Sequence, residues 1–312
     1  PRANPYPREG WITRLTALAP SPGAARIFST DGLLFPDTSG VYGLADLRVV
    51  DAVYVERYFR YFQTFVSPAT ADRWMATGPT EGFPSIFDNP MFDLMGARYF
   101  AQKHPLPTVD PSYHVVAHVD GVLLYENTAA DPRAFVVHQV HAVADENAAV
   151  AYLKRGSTRA HDGSVRPAMN PRQQAVTESS SLPRGTNDPG CTQTAGDVAR
   201  IVHYDPSRVT IDVHTPCPGL VVLSDTYFPG WNASVNGHAA SVLPTDLAFR
   251  GIPVPAGHST IELRYQPSTF RDGIVAALVA IVGLVLAAAL LTRSRRRGGA
   301  HTSRDQPTLP AS

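Results

Sequence analysis

An α+β N-terminal region, then a mainly antiparallel β-sandwich, then one transmembrane helix is the fold class that this 312-residue sequence predicts. Three observations predict it. Helix-like aromatic stretches are mixed with strand-like runs up to about residue 155, and the apolar period changes to two beyond about residue 196. Residues 274–291, IVAALVAIVGLVLAAALL, then run without a polar side chain. A hydrophobic content of 44% is enough to build buried cores, and the length suits two domains of ordinary size. The formal charge is zero, with 27 basic and 27 acidic residues, so the basic excess that nucleic-acid binding needs is missing and no nucleic-acid partner is expected. Lys103 and Lys154 are the only lysines; arginine and alanine dominate, which points to a GC-rich bacterial genome.

The first region, residues 1–155, opens with Pro1, Pro5 and Pro7, followed by a helix over Trp11 to Leu18 and a strand at Arg26 to Ser29. Asp46 to Phe65 reads as a helix that turns Val53, Phe59 and Phe62 inward and leaves Glu56, Arg57 and Arg60 outside. Met91 to Phe100 reads as a helix ending near Gly96 and passing into a strand, and Asp120-Gly121 marks a hairpin between Tyr113 to Val119 and Gly121 to Tyr125. Ala134 to Val143 is expected as one strand and Glu146 to Leu153 as a short helix. Residues 156–195, with Ser179, Ser180, Ser181, Pro183, Gly185, Pro189 and Gly190 close together, form a polar linker. Residues 196–270 carry the sandwich. Its first hairpin, Ala199 to Tyr204 with Arg208 to His214, closes at Asp205-Pro206-Ser207, where proline presets φ and aspartate caps the turn. Strands at Gly219 to Asp225, Ala233 to Val235, Phe249 to Val254 and Ser259 to Tyr265 follow, with turns at Asn236-Gly237 and Ala256-Gly257.

The transmembrane helix is placed at 273–292 and a basic tail at 293–312. Its eighteen apolar positions span roughly 27 Å, close to the hydrocarbon thickness. The eleven Ile, Val and Leu residues contribute on the order of −4 kcal/mol to insertion. Arg293, Arg295, Arg296 and Arg297 follow at once, whereas Arg271 and Asp272 cancel on the other side, so the positive-inside rule puts the C-terminus in the cytoplasm and residues 1–273 outside. Ala276, Ala280, Gly283 and Ala287 set small residues along one face, either a surface for another span or the chance product of an alanine-rich composition. The stretch that begins at Pro1 has no methionine, basic n-region or apolar h-region to direct export, which carries the expectation that this is the C-terminal piece of something longer.

Chemistry-bearing motifs are sparse. Cys191 and Cys217 flank the first sandwich hairpin and suit a disulfide in an oxidising compartment, the alternative being two thiols. His114 with His118, and His138 with His141, match no metal-ligand spacing, and strand positions three apart point to opposite faces. Asp46, Asp51, Glu56, Asp93 and Glu126 stand singly, with no pair placed for acid and base work, and no nucleophile elbow, phosphate loop or dinucleotide fingerprint occurs. No catalytic, metal or cofactor residue is assigned.

The segment from Val222 to Gly273 is the most informative. Within it Tyr227-Phe228-Pro229-Gly230-Trp231 ends a strand in a turn, Asn236-Gly237 tips a hairpin, and Pro255-Ala256-Gly257-His258 opens the last strand before the apolar helix. This order resembles the C-terminal part of the YfhO-like bacterial membrane protein family. Arg26-Ile27-Phe28, Val41 to Leu44, the aromatic stretch Asp51 to Phe62, Phe92 to Tyr99, Leu124 to Asn127, Pro132 to Phe135 and Ala175 to Glu178 look like further family elements, the last of them inside the linker, which is therefore expected to be partly ordered. Asp37 and Asn236 depart from the family's usual residues but suit turns. The resemblance implies a polytopic parent similar to GT-C glycosyltransferases, with a polyprenyl-phosphate sugar donor, upstream transmembrane helices of the same protein and the lipid bilayer as neighbours, and a cell-envelope glycan as acceptor. In that superfamily the catalytic acid sits on an early extracytoplasmic loop, so the resemblance implies no catalytic residue among those present here. Tyr227, Phe228 and Trp231 are then candidates for stacking on a sugar ring, against the plainer reading that they pack the sandwich. The rival function is a non-catalytic, membrane-anchored structural or glycan-binding envelope module.

Overall fold

Gly219–Leu223, GLVVL, offers no polar face, and a strand of that kind is stable only when covered on both sides. All five residues are buried, and the strand lies inside the sheet around which the rest is built. A computed structural model describes residues 6–20, 23, 25–35, 37–48, 55–71, 86–106, 108, 110–160, 163–182, 186, 191 and 196–298. They cluster into two compact units, one ending at Tyr265 and one beginning at Gln266.

The first unit contains three larger sheets. One joins β1 (Arg26–Ser29), β2 (Ala45–Asp46), β3 (Ala97–Gln102), β4 (Tyr113–Val119) and β5 (Val122–Asn127) in the order β2-β1-β3-β5-β4. The central sheet takes β6 (Ala134–Val137), β7 (Gln139–Val143), β10 (Gln174–Glu178), β13 (Gly219–Leu223), β16 (Leu243–Thr245) and β17 (Phe249–Val254), in the order β6-β13-β17-β16-β10-β7. The third is antiparallel: β11 (Val198–Asp205), β12 (Arg208–Thr215), β14 (Trp231–Val235), β15 (His238–Ala240) and β18 (Gly257–Tyr265), ordered β11-β12-β18-β14-β15. A small pair, β8 (Thr158–Arg159) and β9 (Val165–Arg166), lies apart from these.

The central and third sheets enclose one core, with Val136, Val221, Leu223 and Ile252 meeting Val209, Ile211, Ile261 and Leu263. Strand β12 shows the period-two burial of a sheet with one wet face. On its other side the central sheet meets α2 (Glu56–Phe62), α3 (Pro90–Leu94) and α4 (Glu146–Leu153) through an aromatic core that includes Phe28, Tyr61, Phe62, Phe92, Phe100 and Phe249. The far side of the first sheet is closed by α1 (Gly10–Leu18), whose Trp11, Ile12 and Leu15 pack with Ile27 and Leu124. Pro253 is tolerated in β17 because β16 pairs only as far as Gly251, so the strand has a neighbour on one side there.

The α+β region, the antiparallel sandwich and the terminal apolar helix are all present. Several boundaries differ from expectation. The sandwich is not confined to residues 196–270, since its central sheet takes β6, β7 and β10 from upstream; β10 comes from the segment read as linker and is buried at its centre. Ala134 to Val143 is two strands on opposite edges of that sheet, parted at His138. Asp46 belongs to β2, and Arg48 folds back onto it, so the helix begins only at Glu56. Val53 and Asp51 lie outside the described residues, as do residues 299–312 of the tail.

The second unit is α5 (Ser268–Gly298). From Ile274 to Leu291 its side chains are exposed, and a run of apolar side chains of that length demands an apolar environment.

Close packing makes Gly251 irreplaceable. An added Cβ there would lie 2.2 Å from Thr245 Oγ1 and 2.9 Å from Leu220 Cδ2. Gly251→Ala is expected to cost about 1–3 kcal/mol, read as a lower thermal unfolding midpoint of the full chain in detergent. An unchanged midpoint would contradict this packing.

Candidate functional site

The site is assembled by charge. Arg26 at the start of β1, Arg133 just before β6 and Arg250 in β17 all reach the carboxylate of Asp225, which follows β13. Arg26 donates from Nη2 to Asp225 Oδ1 at 2.7 Å and to the Ser224 carbonyl at 2.8 Å, and from Nη1 to the Met95 carbonyl at 2.8 Å and Ser224 Oγ at 2.9 Å. Arg133 donates from Nε to Asp225 Oδ1 at 2.8 Å and from Nη2 to the Tyr204 hydroxyl, lying 4.2 Å from that ring's centroid. The Tyr204 hydroxyl in turn donates to Asp225 Oδ2 at 3.2 Å. Arg250 donates from Nε to the Thr226 carbonyl at 3.1 Å, stands 3.9 Å from Asp225 Oδ2 and lies 3.8 Å from the centre of the Trp231 ring.

These side chains line a cavity of about 440 Å³, with Leu47, Val55, Tyr58, Met95 and Phe249 making its apolar wall. Burial works to raise the Asp225 pKa, but the guanidiniums of Arg133, Arg26 and Arg250 outweigh it and hold the carboxyl below its usual range. Burial pulls Arg26 and Arg250 each down to about 10 against the attraction of Asp225. An acid so firmly ionised carries no proton for general-acid work. What the arrangement provides is a fixed cationic wall.

Of the three aromatic candidates, Trp231 alone packs on a member of this cluster. Trp231 is half-buried, with Arg250 on its ring and Tyr265 at 5.5 Å between centroids. Tyr227 is half-buried with the Arg57 guanidinium 5.6 Å from its centroid, and Arg57 is itself fixed by Glu178 at 2.6 Å. Phe228 is exposed. Cys191 and Cys217 are joined by a disulfide, Cα to Cα 6.2 Å, which closes a loop of 26 residues' separation and so removes about 3–4 kcal/mol of unfolded-state entropy in the chain-entropy account. Arg293 ends the described side chains of α5, and those of Arg295, Arg296 and Arg297 are not described.

The scattered groups stay apart from this cleft or are committed elsewhere. His114 faces Glu126 at 3.6 Å, and His138 is buried between the Pro218 carbonyl and Asp197. Asp46 lines the cavity but is paired with Arg48 at 2.6 Å, and its pKa is raised by burial against that pairing. Among the described residues no three His, Cys, Asp or Glu side chains are grouped to hold a metal. Sequence reasoning missed the arginine cluster because its members are up to 224 residues apart, Arg26 to Arg250; Pro132-Arg133 and Arg26-Ile27-Phe28 were singled out only as motif residues.

Asp246 is a second buried acid, away from the cleft. Its Oδ1 accepts from the Val176 N–H at 2.9 Å, while Oδ2 has no hydrogen-bond partner among the described residues. Burial pushes its pKa up to about 7, opposed by the Val176 N–H and reinforced by Asp131, which burial also raises to about 7.

Asp225→Asn leaves three buried guanidiniums without their carboxylate and is expected to cost about 3–5 kcal/mol in thermal unfolding of the full chain. The folded pKa of Asp225 is depressed below 3.8, so its contribution is complete above that value and is lost as pH falls through the folded pKa. The variant should therefore lose part of the acid-side fall in stability; a midpoint equal to that of the parent protein would refute the cluster. Asp246 has the opposite sign: its contribution is greatest below 3.8 and is lost as pH rises through about 7. Asp246→Asn retains the Oδ1 acceptor, so it should raise the unfolding midpoint at about pH 8 and flatten the decline above about pH 5. A slope unchanged from the parent's would assign that decline to another group.

Residues 191–276 match the family model described as "Bacterial membrane protein YfhO". A protein of Bacillus subtilis (strain 168), "Uncharacterized protein YfhO", is 27% identical over 103 residues, covering 33% of this chain and 12% of that protein. The chain thus matches about an eighth of the length of that relative. No solved structure matches. The family match takes in Tyr204, Asp225 and Arg250 but not Arg26 or Arg133. From the disulfide-bonded Cys191 into the apolar helix, this chain is YfhO-like, similar to a bacterial membrane protein.

Proposed function

We propose that this chain is the C-terminal, outer part of a polytopic membrane protein that transfers a sugar from a polyprenyl-phosphate donor to a cell-envelope glycan, and that the part described binds and positions instead of catalysing. Residues 1–273 lie outside the bacterial cytoplasmic membrane, α5 crosses it next to other spans of the same protein, and the arginine-rich tail is cytoplasmic. The observation that carries this reading is the continuity of the YfhO match from a disulfide, a bond of oxidising compartments, into an exposed apolar helix followed by Arg293. The carboxylate at the cleft is held ionised, which favours a binding role for that wall. A membrane-anchored, non-catalytic glycan-binding module is the second reading, favoured by the exposed ring of Phe228 beside Tyr265.

The test is genetic and chemical. Deleting the gene in its own bacterium and comparing the sugar content of purified envelope glycans by mass spectrometry should show loss of one sugar substituent, restored by the full-length gene. A glycan profile identical with and without the gene would sink the transferase reading. Loss of glycan retention with sugar content unchanged would establish the module.

A further inference from the structure

The two ends of the third sheet differ in kind. Strand β18 runs from Gly257 to Tyr265, and its antiparallel neighbours fix what stands at each end. At the Gly257 end are the Asn236-Gly237 turn and, just beyond Thr215, the disulfide-bonded Cys217. At the Tyr265 end Trp231 is the register partner of Tyr265, and the Ser207 carbonyl accepts from the Tyr265 N–H at 2.9 Å. The aromatic rings gather here. Phe228 lies 6.4 Å and Trp231 5.5 Å from Tyr265 between ring centroids. Trp231 and Tyr265 are half-buried, whereas Phe228 is 48% exposed and Pro229, next in the same turn, is exposed as well.

A single exposed ring needs no explanation, but the place of this one does. Only Gln266 and Pro267 separate Tyr265 from α5, a stretch that reaches at most about 11 Å, and about 9 Å of helix then leads from Ser268 to the apolar run at Ile274. Phe270, 71% exposed, lies on that path. So short a tether keeps the Tyr265 end of the sheet near whatever apolar phase α5 occupies. We propose that the Phe228-Pro229 turn inserts at the boundary between headgroups and acyl chains of the bilayer that α5 crosses, so that the outer unit rests on lipid through this end of its third sheet. Aromatic side chains collect at that boundary, where an apolar body and a polar edge are both accommodated. Trp231 and Tyr265 back the ring. A sugar is the rival occupant of an exposed ring, but it needs polar groups converging on its hydroxyls, and the ring contact of Phe228 is with another aromatic. The inference rests on the reading of α5 as a membrane span and not on sugar transfer.

The experiment places the photoreactive amino acid p-benzoylphenylalanine at one position at a time in the full chain, in nanodiscs of phosphatidylcholine, and reads the adduct by mass spectrometry after irradiation. Position 284, in the middle of the apolar run, reports whether α5 lies in the bilayer. Position 238, exposed at the opposite end of the sheet, reports the background. A phospholipid adduct at 228 and at 284, and none at 238, is expected. Should the exchange at Phe228 impair folding, the exchange at Pro229 is read in its place and must give the same adduct. An adduct at 284 with none at 228 or 229 would overturn the proposal and leave the span intact, whereas absence of adduct at 284 would remove the span and the proposal together. Addition of soluble cell-envelope glycan fragments supplies the remaining arm: a glycan adduct at 228 in place of the phospholipid would overturn the proposal and give the ring to a sugar.

Discussion

Asp225 is the point at which three sheets are tied. Arg26 comes from the first sheet, Arg250 from the central one, Arg133 from the entry to β6, and Tyr204 from β11 of the third; Arg26 and Arg133 donate to Oδ1, Tyr204 donates to Oδ2, and Arg250 forms a longer ion pair with Oδ2 at 3.9 Å. Apolar packing between sheets tolerates small slides, but a carboxylate receiving directed donors does not, so the cluster fixes how the sheets are staggered. It is an expensive way of doing so. Dehydrating four charges costs several kcal/mol for each, and such clusters are often no more stable than an apolar replacement. A cluster of this composition is therefore better understood as what sets the stagger of the sheets than as a gain in stability.

The guanidiniums also explain the fate of the aromatics. Arg57 lies against Tyr227 and Arg250 against Trp231, and a guanidinium near an aromatic face gains a cation–π contact that a surface arginine lacks. A ring face occupied by Arg250 is closed to a sugar on that side. Trp231 thus contributes by holding Arg250 in place, and of the three candidates Phe228 alone has an exposed ring.

Elements set by local chemistry were legible in the sequence. The Asp120-Gly121 and Asn236-Gly237 turns have positive φ at both residues, 53° and 76° in the first and 52° and 79° in the second, which is why those dipeptides announce hairpins. Strand β12 was readable from its alternation, and α1 from its apolar spacing. What failed was set by distant partners. The residues of β10 are strand-like, but only the neighbours β7 and β16 make them a buried interior strand, and the polar stretch around them hid that. Ala134 to Val143 has no local break that would send its two halves to opposite edges of a sheet; His138 sits between them, fixed by the Pro218 carbonyl and Asp197, and those partners are supplied by the later hairpin. The arginine cluster was hidden for the same reason, since nothing near Arg26 or Arg133 in sequence tells which carboxylate they will meet.

The extent of the YfhO match raises a question that the sheet order answers. Residues 191–276 supply the whole third sheet but only β13, β16 and β17 of the central one. Without β6 the β13 edge would be bare, and without β10 and β7 so would β16, leaving apolar strands with unpaired backbone edges, a state prone to aggregation. The matched stretch is therefore not a folding unit by itself. Its central sheet, and the cationic cleft with it, are completed by residues outside the match, Arg26 and Arg133 among them. A fold whose recognisable half depends on an upstream half must have both present for the cleft to form, and the place where the halves meet is the carboxylate of Asp225.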